Sequence, residues 1–262
     1  MDNITDIDKL IQALKTSAKI AVNQLAANFN AEKRAEDRTY SKEASLKIEK
    51  VIENNFRESI SSIFPDINMV GEEQNNQNGN SVFTVVIDPL DGTGNFANGN
   101  YFFAFCVALM KDGDPIWGII IAPLLGLEWE AKSGEGATCN GKPITVSRVN
   151  DLANSYVLWC EGGCKIKKRT LDIYDAIYPR VTDLRKLGAA SIEACFVAMG
   201  KVEGYVSTDL EIWDVAAAVL ITKEAGGRVS DHSGNDWKSS QSDIIFSNGL
   251  LHENLVSLVR GK

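Results

Sequence analysis

Asp88-Pro89-Leu90-Asp91-Gly92-Thr93-Gly94-Asn95-Phe96 sets two carboxylates three residues apart, where an apolar segment gives way to a glycine-containing turn. A hard divalent cation needs oxygen ligands on a short, fixed frame, and Asp88, Asp91 and the carbonyl of Leu90 are of that kind. The backbone N–H groups of Gly92 and Thr93 come next, placed to meet an anion held against such a cation. This spacing points to metal-assisted chemistry on a phosphate. The plain alternative is a turn, because Asp-Pro and Asp-Gly pairs form turns that need no ligand. Against it stands Val82-Phe83-Thr84-Val85-Val86-Ile87, a β-rich apolar run that reads as a buried strand. Two acids at the end of such a strand leave charge beside a core, which is costly unless the charge is paired or metal-bound.

Further acids stand elsewhere in the chain. Glu72 and Glu73 follow Gly71 at the end of a short loop, just before the strand that leads to Asp88, and alone they read as solvated surface. Asp214, in Ile212-Trp213-Asp214-Val215-Ala216-Ala217-Ala218, opens an apolar helix, where a first-turn acid is also stabilised by the helix dipole.

The elements that must hold these residues follow from periodicity. Apolar positions from Ile4 to Leu25 recur at helical spacing over 4–29, and a second helix is expected from Ser45 to Ile63, ended by Pro65. Between them, 31–44 reads as a charged mobile loop, and the Asn/Gln/Gly tract 74–80 as an exposed one. Strands are expected at 102–110, 115–122, 127–131 and 137–139, with a hairpin turn at Lys111-Asp112-Gly113-Asp114. Beyond Lys142-Pro143 strands and helices alternate: strands at 156–160, 204–207 and 243–246, helices at 169–178, 188–199, 213–225 and 249–260. The expected organisation is a helix and antiparallel-sheet lobe over 1–142 that carries the acids, and a smaller α/β lobe over 143–262 that completes the site.

A chain of 262 residues with 44% apolar and 24% charged residues is of ordinary globular composition. A net charge of −8 disfavours binding to a nucleic-acid polymer and anchoring to a membrane surface, both of which need a basic footprint. No run reaches membrane-spanning length, and residues 1–15 lack the pattern of a secretory signal. Five scattered cysteines without a Cys-x-x-Cys pair suit reduced thiols and a cytoplasmic location. With only His232 and His252 present, a phosphohistidine or a histidine-ligated metal pair is not expected.

The Gly71-Glu72-Glu73 element, the Asp-Pro-x-Asp-Gly-Thr stretch at Asp88–Thr93, Arg185-Lys186-Leu187-Gly188-Ala189-Ala190 and Trp213-Asp214 together resemble the motifs of the inositol monophosphatase superfamily, in order and in spacing. The resemblance runs from the second helix to the last. It implies an α/β fold of the α+β type, a layered α-β-α-β-α sandwich, and a Mg²⁺-dependent, lithium-sensitive phosphatase with two or three ions per site. It implies that Glu72, Asp88 and the Leu90 carbonyl hold one Mg²⁺, and Asp88, Asp91 and Asp214 a second. Gly92 and Thr93 would cradle the phosphate, with Gly188 and Ala190 on the alcohol side and Asp91 and Asp214 beside the substrate. In that family a water attacks phosphorus in line while the cations stabilise the leaving alkoxide. A small phosphorylated substrate is implied, and a homodimer is compatible with the resemblance. Asp91→Asn is expected to abolish turnover and leave the fold intact, because it removes a ligand and no core volume.

The chain departs from the family in three places. Many members pair an Asp with the signature Thr to activate the water; ungapped counting puts Glu49 there, with Glu43 as the choice if a gap intervenes, and Glu49 also reads as a plain helix-surface acid. Inositol-selective members carry a Glu seven residues before the Trp-Asp aspartate, where this chain has Ser207, with Asp209 and Glu211 as acids nearby. The basic run Lys165-Ile166-Lys167-Lys168-Arg169 reads either as a solvated loop and helix start or as a site for a second phosphate. These features leave open a sugar or polyol monophosphatase, a 3′(2′),5′-bisphosphate nucleotidase, a fructose-1,6-bisphosphatase, and an interaction protein that keeps the fold.

Overall fold

A computed structural model describes residues 4–29, 38–161 and 167–262. Helix α1 (Ile4–Asn28) buries the stripe Leu10, Leu14, Ala18, Ala21 and Leu25, and α2 (Arg38–Ile63) buries Ile52, Phe56 and Ile60. Both stripes have the three-to-four spacing that puts one helix face on a core. Helix α2 starts at Arg38 rather than Ser45, so 38–44 is helical and not loop. Its opening turns are rich in residues that favour helix, such as Lys, Glu and Ala, and a charged exterior does not break a helix whose inner face packs. Residues 31–37 of the expected loop lie outside the described residues.

The first sheet runs in chain order from β1 to β7: β1 (Asn68–Gly71), β2 (Phe83–Asp91), β3 (Ala104–Lys111), β4 (Asp114–Ala122), β5 (Leu127–Lys132), β6 (Ala137–Cys139) and β7 (Lys142–Pro143). Only β1 and β2 pair in parallel; the remaining neighbours are antiparallel. The β3–β4 hairpin turns on Asp112 and Gly113, both at positive φ (53° and 89°), as a two-residue turn matched to strand twist requires. Strand β1 went unread in the sequence, so Glu72 follows a strand directly instead of ending a loop.

The second sheet has the order β11-β12-β10-β8-β9. Its strands are β8 (Tyr156–Glu161), β9 (Asp183–Arg185), β10 (Gly204–Thr208), β11 (Arg228–Ser230) and β12 (Ile244–Ser247). Helices α4 (Lys167–Ile177), α5 (Ala190–Ala198), α6 (Ile212–Glu224) and α7 (His252–Val259) alternate with them, and a one-turn helix, α3 (Thr93–Ala97), follows β2.

Three apolar cores stack these elements. One joins α1 and α2 to a face of the first sheet through Val85, Ile87, Phe105 and Val107. The middle core joins the opposite face, through Val86, Cys106 and Trp129, to α5, α6 and the second sheet's Tyr205 and Phe246. The third closes the second sheet with α4 and α7. The result is an α-β-α-β-α sandwich. Helices α5 and α6 are apolar on nearly every side because a sheet covers each of their faces.

Contact between β4 and α6 is close: a Cβ added to Gly118 would lie 2.9 Å from the Cα of Ala217. Helix α6 carries Asp214 three residues earlier, so this approach fixes the depth of that acid. Gly118→Val is expected to destabilise the protein by about 1–3 kcal/mol through overpacking. Urea unfolding checks it, and wild-type stability in the variant would refute the account.

Candidate active site

Strand β2 does not stop at Ile87; it continues to Asp91 with a break in register. Asp88 pairs with Cys106, but Asp91 pairs with Ala104, so three steps on β2 face two on β3. Pro89, which has no N–H for the ladder, lies within this bulge. Residues three apart on a regular strand point to opposite faces; the extra residue resets the alternation and turns Asp88 and Asp91 to the same side. Gly92 then takes φ 89°, where a Cβ would fall 2.6 Å from the Phe102 carbonyl oxygen.

One cleft of about 360 Å³ is lined by Glu72, Asp88, Leu90, Asp91, Gly92, Thr93, Gly94, Cys160, Gly188, Ala190, Leu210 and Asp214. All of the metal and substrate positions implied by the resemblance therefore lie on one surface, contributed by β1, β2, α3, the α5 start and the α6 start. A larger groove of about 670 Å³, apolar and lined by Leu127, Tyr156, Leu158, Phe196 and Met199, holds none of these acids.

Asp91 is buried and has both carboxylate oxygens engaged. Oδ1 accepts the Ala190 N–H at 3.0 Å, and Oδ2 accepts the Ser191 N–H at 2.9 Å and the Ser191 hydroxyl. It thus caps α5, whose own Ala189 has no capping side chain. Asp91→Asn would turn an amide NH₂ toward donors, so the expectation that the fold is indifferent to this change does not hold. Asp88 differs: Oδ1 accepts the Leu90 N–H at 2.8 Å, while Oδ2 is buried without a hydrogen-bond partner. Asp214 accepts the Glu211 N–H at 2.8 Å in a capping box, so its role as a first-turn acid and its place in the cleft coexist.

These acids raise one another's proton affinity. Burial, then the charges of Glu72, Asp91 and Asp214, push Asp88 well above the carboxylate range. Burial also raises Asp91, against the Ser191, Ala190 and Ile192 donors that lower it. Asp214 is pushed up to about 7 by burial and by Asp91 and Glu72, and Glu72, although exposed at the cleft mouth, also to about 7 by lost hydration and by Glu49, Glu73 and Asp91.

Glu49 is 1% exposed, which rules out the surface reading, whereas Glu43 is exposed. The Glu49 carboxyl lies against Thr93 and Glu73 and is raised to about 7 by burial, with Thr93 lowering and Glu73 adding to the shift. The Thr93 hydroxyl donates to the Leu90 carbonyl at 3.2 Å, and it stands close enough to the Glu49 carboxyl to lower its proton affinity against the effect of burial.

Asn95 and Glu193 are residues that the motif reading passed over. Asn95 Nδ2 reaches the carbonyls of Phe102 (2.7 Å), Leu187 (2.8 Å) and Gly188 (3.1 Å), and Glu193 Oε1 accepts the Leu187 and Gly188 N–H groups at 2.6 and 3.3 Å. Between them they clamp the Leu187-Gly188 backbone at the cleft. The buried acid on α5 was the available signal.

Ser207 does not face the cleft as a substitute for the inositol-binding Glu; its hydroxyl donates to the Cys160 carbonyl at 2.9 Å. Asp209 is half-buried and Glu211 exposed at the α6 N-cap. Of the basic run, Lys165 and Ile166 lie outside the described residues, and Arg169 is engaged by Asp243 and the Lys262 carbonyl rather than solvated.

The donor set suits a hard cation: carboxylates, one backbone carbonyl, and the unpartnered Asp88 Oδ2, with both histidines hydrogen-bonded elsewhere. Among the described residues, no three acid, histidine or cysteine side chains already meet as a ligand set.

Layers and acids of this kind define a class of phosphatases. The chain belongs to the inositol monophosphatase family, whose model matches residues 6–262. It is 31% identical over 254 residues to a fructose-1,6-bisphosphatase/inositol-1-monophosphatase of Thermotoga maritima, covering 97% of this chain and 96% of that one. A Nus factor SuhB of Xylella fastidiosa is 33% identical over 202 residues, 75% of this chain and 70% of its own. The solved structure of Thermotoga maritima IMPase matches with TM-score 0.81 at 29% identity, over 96% of each chain.

Asp88→Asn is expected to leave the metal-free protein equally or more stable, because burial and the neighbouring acids already disfavour its ionised form, while Asp91→Asn costs about 0.5–2 kcal/mol with the lost cap. Urea unfolding in EDTA separates the two, and equal effects would refute the division of roles. Glu49, Glu72 and Asp214 near 7, with Glu193 near 8, bind protons more tightly folded than unfolded, where carboxyls titrate near about 4. Stability in EDTA should therefore rise as pH falls from about 8 to about 5, with two histidines opposing the trend: His252, depressed to about 4, and His232, also lowered by burial. A urea midpoint that climbs with pH across that window would contradict it.

Proposed function

We propose that the protein is a Mg²⁺-dependent phosphomonoesterase acting on a small sugar or polyol phosphate. The observation that carries this reading is the convergence of Glu72, Asp88, Asp91 and Asp214 on the cleft that also exposes the Gly92-Thr93 turn. Glu72, Asp88 and the Leu90 carbonyl would hold one ion, and Asp88, Asp91 and Asp214 another, with room in the family's pattern for a third. When bound, the ions neutralise the phosphate and the leaving oxygen.

The chain's own residues do the positioning. Gly92 and Thr93 N–H groups take the phosphate oxygens, and Gly188 and Ala190 line the alcohol side. Thr93 Oγ1 orients the attacking water, and Glu49, its proton affinity raised to about 7 by burial, accepts the proton. A phosphate monoester dianion repels nucleophiles, so such charge control and alignment carry most of the rate.

With Ser207 turned to Cys160, no carboxylate stands where inositol-selective members place one, and we do not assign inositol selectivity. A second reading is a bisphosphate substrate of the fructose-1,6-bisphosphate kind, favoured by the two activities in the name of the Thermotoga relative. No described helix is long and apolar enough to cross a membrane, and the four described cysteines are free thiols, which supports a cytoplasmic location. A homodimer is part of the same proposal, to be measured by light scattering.

A screen of inositol monophosphates, fructose 1,6-bisphosphate, histidinol phosphate and 3′-phosphoadenosine 5′-phosphate with Mg²⁺ tests the reading. Turnover of at least one ester, abolished by EDTA and reduced by tens of millimolar Li⁺, is expected. Failure on every ester, with a protein partner co-purifying, would favour an interaction protein on the same fold.

A further inference from the structure

Helix α2 offers more to the cleft than Glu49. One turn further on, Glu53 is fully buried and pairs with Arg57, Arg57 Nε lying 2.7 Å from Glu53 Oε1. Glu53 Oε2 reaches across twenty residues of chain to accept the Glu73 N–H at 2.9 Å. Arg57 extends the same grip to the Asn75 carbonyl at 3.4 Å. Gly71, before the bend, sits so near that a Cβ would fall 2.4 Å from Glu53 Oε1. The bend carrying Glu72 is thus held from below by one buried carboxylate, itself held by one guanidinium.

We infer that the Glu53–Arg57 pair is a positioning device that sets Glu72 toward Asp88 and so tunes the affinity of the cleft for its cation. The inference rests on the metal-dependent reading above. A buried ion pair adds little net stability over apolar residues of similar size, so a structural purpose alone accounts poorly for it. Charge-assisted hydrogen bonds to backbone are directional, as a tether requires. Groups that orient metal ligands from behind typically govern affinity by about 10–100-fold.

Mg²⁺ binding by isothermal titration calorimetry without substrate, together with kcat at saturating Mg²⁺, provides the test. The double variant Glu53→Leu/Arg57→Leu keeps the packing and removes the acceptor of the Glu73 N–H. Gly71→Ala drives a methyl group between the bend and the Glu53–Arg57 pair while keeping both charges in the chain, and serves if the double variant does not fold. Both are expected to weaken Mg²⁺ binding about 10-fold or more, with kcat at saturation within about threefold of wild type. Unchanged Mg²⁺ affinity in a folded variant overturns the tether. A wild-type protein that binds no Mg²⁺ overturns the metal-dependent reading and the tether with it.

Discussion

Asp91 is the joint on which the rest of the molecule turns. Its carboxylate leaves the end of a strand in the first sheet and closes the open N-terminus of α5, a helix in the middle layer that also touches the second sheet. Without that cap the first amides of α5 would be buried and unpaired, since no side chain of its own covers them. The same contact brings Gly188 and Ala190 to the cleft. The site and the layering are therefore one construction, seen from two sides.

That construction concentrates negative charge in a place with little water. Asp88 and Asp91 are buried, and burial plus mutual repulsion raise the proton affinity of both and of Glu72 and Asp214 beside them. Amide donors relieve Asp91 and Asp214, whereas Asp88 Oδ2 goes without a partner. The mutual repulsion of carboxylates buried this close together costs stability, as groups kept for function commonly do. The closely packed middle layer, where Gly118 meets Ala217, holds the acids in place against it.

Much of this was legible before the fold was known. The apolar stripes of α1 and α2, the Asp112-Gly113 hairpin and the alternation beyond residue 143 each carry a local signal strong enough to read. Strands β1, β9 and β11 do not: they have only three or four residues and are strands because a neighbour supplies their hydrogen bonds. The start of α2 was missed because its opening turns are charged, and the buried face that stabilises it lies further along. Arg169 read as part of a basic run, but Asp243, 74 residues away, engages it.

Residue types and spacing by themselves determined the donor chemistry: four acids, a glycine turn and a threonine, in an order that resembles one family of phosphatases. They determined it because ligand identity and turn conformation are properties of a few adjacent residues. Tertiary structure alone decided which way those residues face. The bulge at Pro89 turns Asp88 and Asp91 to one side, α2 brings Glu49 and Glu53 beneath the cleft from outside the motifs, and Ser207 is drawn away to Cys160. Each of these depends on partners that are distant in the chain and adjacent only once the layers have packed.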